Sequence, residues 1–411
     1  MRSLATLLLG TAILILGQGL MLGLVPSSMN ARGFAASSVG LIGAAYFLGF
    51  LIGAWRGSVL IRRVGHIRAF GGLIALILIA VLALPLVPNA PAWTALRFLH
   101  GFAAGGVFLA IEAWLNGAAG TKSHGRLLAI YMIISLGGLS GAQLLAGLSP
   151  AVTPIPFLAA GLLFAASIVP VMLTRIDAPP VADVQRMPFR DIYRSSPFAL
   201  TVSVAAGMNV GAFWTFTPFV ARDMGLSVES TSALVASTVF AGLLWQWPAG
   251  FASDRFDRRH VVVTVCTIGA IAAFVLVPAM SAERPLALHV CFALLAGFFC
   301  LYPLTMAHAL DHTRDPAHTL GVSQGLLMAN GLGQTVGPLI GVAFITLLGP
   351  RGLPLYFLAL LGGITAFTIW RLRVGVPVAP ETQGKHVFVR TTTPAGAVLD
   401  PRLREGDGET P

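Results

Sequence analysis

The feature that most constrains this chain is the length of its apolar runs. They fall at 4–27, 38–60, 67–88, 92–116, 124–148 and 153–174, then at 198–220, 229–251, 260–281, 285–309, 318–348 and 351–373. A helix needs roughly 20 apolar residues to cross the hydrocarbon of a bilayer, whereas a membrane strand needs only ~10 alternating ones. Uninterrupted runs therefore predict an all-α membrane protein of twelve transmembrane helices and exclude a barrel. Composition agrees, because 56% hydrophobic and 10% charged residues leave too little polar surface for a soluble fold of 411 residues. The first run, after Met1-Arg2-Ser3, imitates a secretory signal, with Ala31 to Ala36 as a cleavage region. It is as long as the later spans and has a counterpart downstream, so a retained span is expected.

The net charge of +10 does not indicate a nucleic-acid partner, because the basic residues sit in short turns between spans. Alternating sides leave Arg32, Arg222, Arg284 and Arg351 on one face of the membrane and all other turn arginines and lysines on the opposite face. The positive-inside rule then puts both termini in the cytoplasm. Pro26 and Pro218, Gly33 and Gly225, Trp55 and Trp247, and Gly105 and Gly297 recur at one offset of 192. That offset implies a duplicated six-helix unit. The expected organisation is a bundle over 1–174, a cytoplasmic connector over 175–197 with a short amphipathic piece from Met187 to Tyr193, a second bundle over 198–373, and a disordered cytoplasmic tail over 374–411. Cys266, Cys291 and Cys300 lie inside apolar runs without metal-type spacing and read as small buried hydrophobes.

Local motifs narrow this reading. Gly250-Phe-Ala-Ser-Asp254-Arg255-Phe-Asp257-Arg258-Arg259, after the eighth span, resembles the G-x-L-a-D-r-x-G-r-r signature of the major facilitator superfamily. Its first-half equivalent, Ser58-Val-Leu60-Ile-Arg62-Arg63-Val-Gly65-His66, carries Arg62 where the signature has aspartate. Arg97-Phe-Leu-His100-Gly101 resembles the superfamily's fourth-helix R-x-x-x-G pattern. Gly333-Gln-Thr-Val-Gly337-Pro338-Leu-Ile-Gly341 resembles its G-x-x-x-G-P-x-x-G pattern, here in the eleventh span and not the fifth. Glu112-Ala-Trp114-Leu115-Asn116, followed by Gly125-Arg126, resembles a branch of small bacterial members. The resemblance implies two pseudo-symmetric six-helix bundles and a cytoplasmic gate whose aspartate caps a helix and joins ion pairs.

Candidate gating residues are accordingly Glu112, Arg56, Arg62, Arg63, Asp254, Arg255 and Arg258. Glu112 is the acid that lies well inside a span, and both it and Arg56 sit about five residues, or ~7 Å, from the cytoplasmic ends of their helices. Glu112 is expected either to pair with Arg56, or with Arg62 and Arg63, or to be bonded to local backbone and water near the headgroups. Arg97 lies fifteen residues from Glu112, ~22 Å along a helix, so the two are not direct partners, although they share a broad face with Gly101, Gly105 and Phe108. That face suits either a close helix neighbour or a cavity wall.

Candidate substrate-binding residues are Arg97, His100, Gln18, Gln143, Asn209, Trp214, Asn330 and Gln334, with Tyr46 and Tyr302 as aromatic neighbours. The neutral amides serve equally as helix-to-helix hydrogen-bond partners. Proton coupling, if used, falls to Glu112, His100 or His289. His308 and His312, at i and i+4 on a helix end, read as a hydrated cap and not a metal site. The absence of G-x-x-x-x-G-K-[ST] gives no support to ATP use. The sequence thus predicts a monomeric secondary transporter in the bacterial inner membrane. It would take a small anionic or neutral substrate and contact membrane lipid, with no cofactor, metal or nucleic acid. The rival from another class is a membrane scaffold or sensor that kept the fold without turnover. An enzyme would want a nucleophile–base or acid pair, and the embedded set offers one glutamate and scattered histidines.

Overall fold

The computed structural model describes residues 2–118, 124–148, 152–172, 188–280, 284–312 and 316–374. Among these the chain is helical throughout, without a strand. The first half comprises α1 (Arg2–Ala31), α2 (Ala36–Val64), α3 (His66–Ala83), α4 (Ala90–Ala118), α5 (His124–Ala146) and α6 (Ile155–Met172). A short α7 (Phe189–Ser195) leads into the second half. That half comprises α8 (Pro197–Asp223), α9 (Val228–Ser253), α10 (Arg258–Ala279), α11 (Pro285–Leu295), α12 (Leu301–Asp311), α13 (Pro316–Leu348) and α14 (Gly352–Val374). Ten stretches are long and apolar enough to span a membrane. One of them, 321–374, is α13 and α14 joined at a 3₁₀ turn, and the apolar part of α5, Ile130–Ala146, completes twelve passes.

The tenth pass is not one helix. α11 passes through a 3₁₀ turn, Ala296–Cys300, into α12, and Phe298 and Phe299 of that turn pack on Phe213. The surface piece of the connector falls on α7, two residues beyond the sequence expectation. Ile192 is buried while Asp191 and Arg194 are exposed, the pattern of a short helix lying on an apolar surface. Residues 173–187 and 375–411, which hold the rest of the connector and the tail, lie outside the described residues.

Within the first half α2 packs along α4, and α1 along α5 and α6; in the second, α8 packs along α13 and α10 along α14. The α2–α4 contact brings backbones together. A Cβ at Gly101 or Gly105 would run into the carbonyls of Tyr46 and Phe50, and one at Gly49 or Gly53 into those of Phe98 and Phe102. Without a hydrophobic drive between helices in lipid, such close backbone packing is a main source of association. The duplication shows in conformation as well as in sequence. Gly33 and Gly225 both take a left-handed turn, φ 72° and 85°, after the first helix of their half, a geometry that costs a residue with a Cβ ~1–2 kcal/mol.

The halves meet chiefly through α1 with α8, α2 with α13, and α5 with α9, and also through α2 with α8 and α1 with α9. Leu51 of α2 packs on Gly331 of α13 near the middle of the bundle, and further contacts lie toward the end where α1 finishes and α14 begins. Asn30 Nδ2 donates to Phe219 O (3.3 Å), Ser140 Oγ donates to Ala236 O (2.9 Å), and Gly147 abuts Ser232. Arg32 lies over the Trp93 ring at the same end, 5.8 Å from its centroid.

Candidate functional site

Both halves contribute walls to a cavity of about 110 Å³ in the middle of the bundle. Gln18, Tyr46, Phe50 and Phe108 face it from the first half, and Trp214, Phe299 and Gln334 from the second. A smaller void of about 10 Å³ shares Leu22, Phe47 and Trp214 with it and reaches Arg97 and Thr215.

Around the cavity the first half builds a chain of polar groups in which each donor is determined. Arg97 Nη1 lies 2.9 Å from His100 Nδ1, and a guanidinium only donates, so Nδ1 accepts. The imidazole hydrogen is therefore on Nε2, which donates to Gln18 Oε1 at 3.1 Å. Gln18 Nε2 in turn donates to Tyr46 Oη at 2.7 Å. The Tyr46 ring closes the circuit beneath the guanidinium, 4.1 Å from Arg97 Cζ. Arg97 is 4% exposed and, among the described residues, no carboxylate pairs with it.

The other predicted binding residues divide. Trp214 and Gln334 line the cavity. Gln334 Nε2 also donates to Asn330 Oδ1 (2.7 Å), and Asn330 Nδ2 to Ser203 O (3.0 Å), which ties α13 to α8. Gln143 Nε2 donates to Gly19 O (2.6 Å) and stitches α5 to α1. Asn209 Nδ2 bonds Ala205 O on its own helix, while its Oδ1 is buried without a partner among the described residues.

The gating candidates cluster near the end that carries the termini. Glu112 is fully buried, and its Oε1 accepts from Tyr131 Oη of α5 at 2.9 Å. Arg56 is exposed, 4.7 Å from the Trp55 ring centroid, and Arg62 and Arg63 are exposed in the last turn of α2. In the second half Arg258 is fully buried; its Nε and Nη2 donate to Asp311 of α12 (2.6 and 3.3 Å), and its Nη1 to Ser253 Oγ (2.6 Å). Arg255 covers the Phe251 ring at 3.5 Å, and Asp254 ends α9. Asp257 caps α10 and takes 2.7 Å and 3.1 Å bonds from Arg259. His289 is half-buried in the first turns of α11, bonded to Pro285 O and away from the cavity. The His308 and His312 rings lie 4.4 Å apart between centroids, tilted by 46°, and His312 Nδ1 is hydrogen-bonded to the His308 carbonyl.

Sequence reasoning did not single out Thr215, Tyr131 as the partner of Glu112, or Asp311 as the partner of Arg258. Only the i, i+4 reading of His308 and His312 drew attention near Asp311, and nothing in the sequence marked Thr215.

Twelve helices in two matched sets of six, meeting around a central chamber, define a membrane transporter. The Major Facilitator Superfamily model matches residues 7–328 and 199–403, and the chain belongs to that family. It is 27% identical over 351 residues to an "Uncharacterized MFS-type transporter" of Yersinia pestis (strain Pestoides F), covering 82% of this chain and 87% of that one. It is likewise 27% identical over 359 residues to the "Uncharacterized MFS-type transporter YcaD" of Escherichia coli O7:K1 (strain IAI39 / ExPEC), covering 84% and 89%. The crystal structure of the nucleoside transporter NupG superposes with a TM-score of 0.74 at 13% identity, over 91% of this chain and 99% of that one, a likeness of fold.

Proposed function

We propose that this chain is a secondary active transporter that moves a small organic solute, anionic or neutral, across a bacterial inner membrane by alternating access, acting as a monomer with both termini in the cytoplasm. The observation that carries this reading is the central chamber, walled by both halves, with the charge of Arg97 buried beside it and no acid paired to it among the described residues. A fixed positive charge in a low-dielectric site favours anions and repels cations. In this orientation the contacts at Asn30, Ser140 and Gly147 close the outward side. The Arg258–Asp311–Ser253 cluster and the Asp257–Arg259 pair hold the cytoplasmic ends of α9, α10 and α12, and Arg56, Arg62, Arg63, Asp254 and Arg255 stand at the same surface. Proton coupling is assigned to Glu112, because both ring nitrogens of His100 are engaged and His289 is away from the chamber.

Counterflow in proteoliposomes tests the reading. Vesicles preloaded with an unlabelled solute should accumulate its labelled form transiently and saturably. A scaffold or sensor with this fold would show no exchange with any of a panel of organic anions, amino acids and neutral solutes.

A further inference from the structure

The small void beside the main cavity holds two buried hydrogen-bonding groups without partners, one from each half. Arg97 Nε, on α4, and Thr215 Oγ1, on α8, both lack a partner among the described residues, and their residues are only 4% and 3% exposed. A buried donor left unpaired costs ~1–3 kcal/mol, so two such groups on residues that line one space point to an acceptor there. Gly43 of α2 keeps that corner open: a Cβ there would fall on the Thr215 hydroxyl. The void, about 10 Å³, has room for one oxygen-sized group. The neighbouring cavity, at about 110 Å³, is smaller than the ~150 Å³ apolar cavity known to hold a benzene ring, so an aromatic body enters it only with movement of the lining side chains. Its walls are mainly apolar, with Phe50, Phe108, Trp214 and Phe299 among them.

We propose that the two spaces form one chamber for a small monocarboxylic acid with an aromatic or branched apolar body. One carboxylate oxygen takes the Arg97 Nε–H and the Thr215 hydroxyl, and the body lies among the aromatic rings. This rests on the transporter reading and names its substrate class. A single cation serves a single negative charge, so a second carboxylate would enter an apolar wall unpaired and be rejected. Because the two donors come from opposite halves, the bound carboxylate bridges them. Water alone in the void satisfies the same donors without any acid, and the variants below separate the two cases.

The test is equilibrium binding of radiolabelled phenylacetate to the purified full-length protein, with phenylacetamide, phenethylamine and phenylmalonate as competitors, alongside phenylacetate counterflow in proteoliposomes. Phenylacetate should compete at least tenfold better than the amide, the amine and the dicarboxylate. Thr215→Val, which keeps the side chain's shape, should weaken phenylacetate about tenfold, the equivalent of ~1.4 kcal/mol. Gly43→Ala should do so by filling the corner, and Arg97→Gln should erase the preference for acid over amide. Unchanged affinity in both Thr215→Val and Gly43→Ala, each eluting as a monodisperse protein, would overturn the subsite, as would equal binding of acid and amide. Exchange of some other solute without phenylacetate binding overturns this substrate class and leaves transport standing. Phenylacetate binding without exchange of any solute sustains the chamber and overturns the transport reading.

Discussion

Inside the fourth helix Glu112 is fully buried, and the Tyr131 hydroxyl at 2.9 Å stands in for part of the solvation lost on burial. Tyr131→Phe removes the donor and keeps the ring, so stability should fall by ~1–3 kcal/mol, read as a lower thermal midpoint in detergent. With Glu112→Leu also present, the loss should be less than the sum of the two single effects, since both remove one interaction. An unchanged midpoint in Tyr131→Phe would remove the bond from the stability account. Asp257 gives a pH dependence. Burial pushes its carboxyl up, but the hydrogen bonds and charge of Arg259 outweigh that and hold it below the usual carboxylate range. A group depressed on folding contributes fully above its unfolded value, near ~4, and loses the contribution as pH falls through the folded value. Melts from pH 7 to pH 3 should therefore drop more steeply in the wild type than in Asp257→Asn; parallel curves would show the pair to be energetically silent. Charges such as Arg97 and Glu112 were legible in the sequence because they interrupt apolar runs. Thr215 and Tyr131 were not, since threonine and tyrosine are ordinary in spans and their meaning depends on which helix faces them.

At the scale of elements, the α2–α4 contact is the one most exposed to a single change. Gly105→Val would drive a side chain into the Phe50 carbonyl and the Ala54 amide, neither of which can yield without moving a helix. The expected outcome is loss of monodisperse protein in size-exclusion chromatography. Gly72→Ala, where nothing lies within 4 Å of the added carbon, should express and elute as the wild type does. Normal behaviour of Gly105→Val would mean that the helices have slack the geometry denies. The glycine stripe on α4 was visible in the sequence as a face suited either to a neighbour or to a cavity, and packing decided for the neighbour at Gly101 and Gly105 while Phe108 turned to the cavity. The offset of 192 was equally legible, and it reappears as paired left-handed turns at Gly33 and Gly225. The break in the tenth pass was hidden, because 285–309 is uniformly apolar and hydropathy carries no signal for a 3₁₀ turn. The amides were ambiguous for a related reason: Gln143 and Asn330 found backbone carbonyls on neighbouring helices, whereas Gln18 and Gln334 reach the cavity, and composition cannot separate these fates.

The whole molecule poses the question of motion. Its halves touch mainly through α1–α8, α2–α13 and α5–α9, with Asn30–Phe219 and Ser140–Ala236 hydrogen bonds and, midway along α2 and α13, Leu51 against Gly331. Each half is a tightly packed unit, with backbones in contact along α2–α4 and along α8–α13, where Gly207 and Gly211 meet the carbonyls of Asn330 and Gln334. Between the halves the close contacts are made mostly by side chains, Leu51 against Gly331 and Val342 against Gly40 along α2–α13, together with hydrogen bonds and the walls of the cavity. Motion should therefore occur between the units and not within them, as rocking about the chamber. The Ser140–Ala236 contact is a place to hold that motion, because Ser140 Oγ reaches the Ala236 carbonyl at 2.9 Å across α5 and α9. Ser140→Cys combined with Ala236→Cys, in a background where the buried Cys266, Cys291 and Cys300 are replaced by alanine, should form a disulfide on copper-catalysed oxidation. Counterflow should then stop and return with reductant, while each single cysteine variant exchanges at its own rate with or without oxidant. Full exchange by the oxidised pair would show that α5 and α9 need not part at this end, and with that the rocking of the two halves would fail as the mechanism.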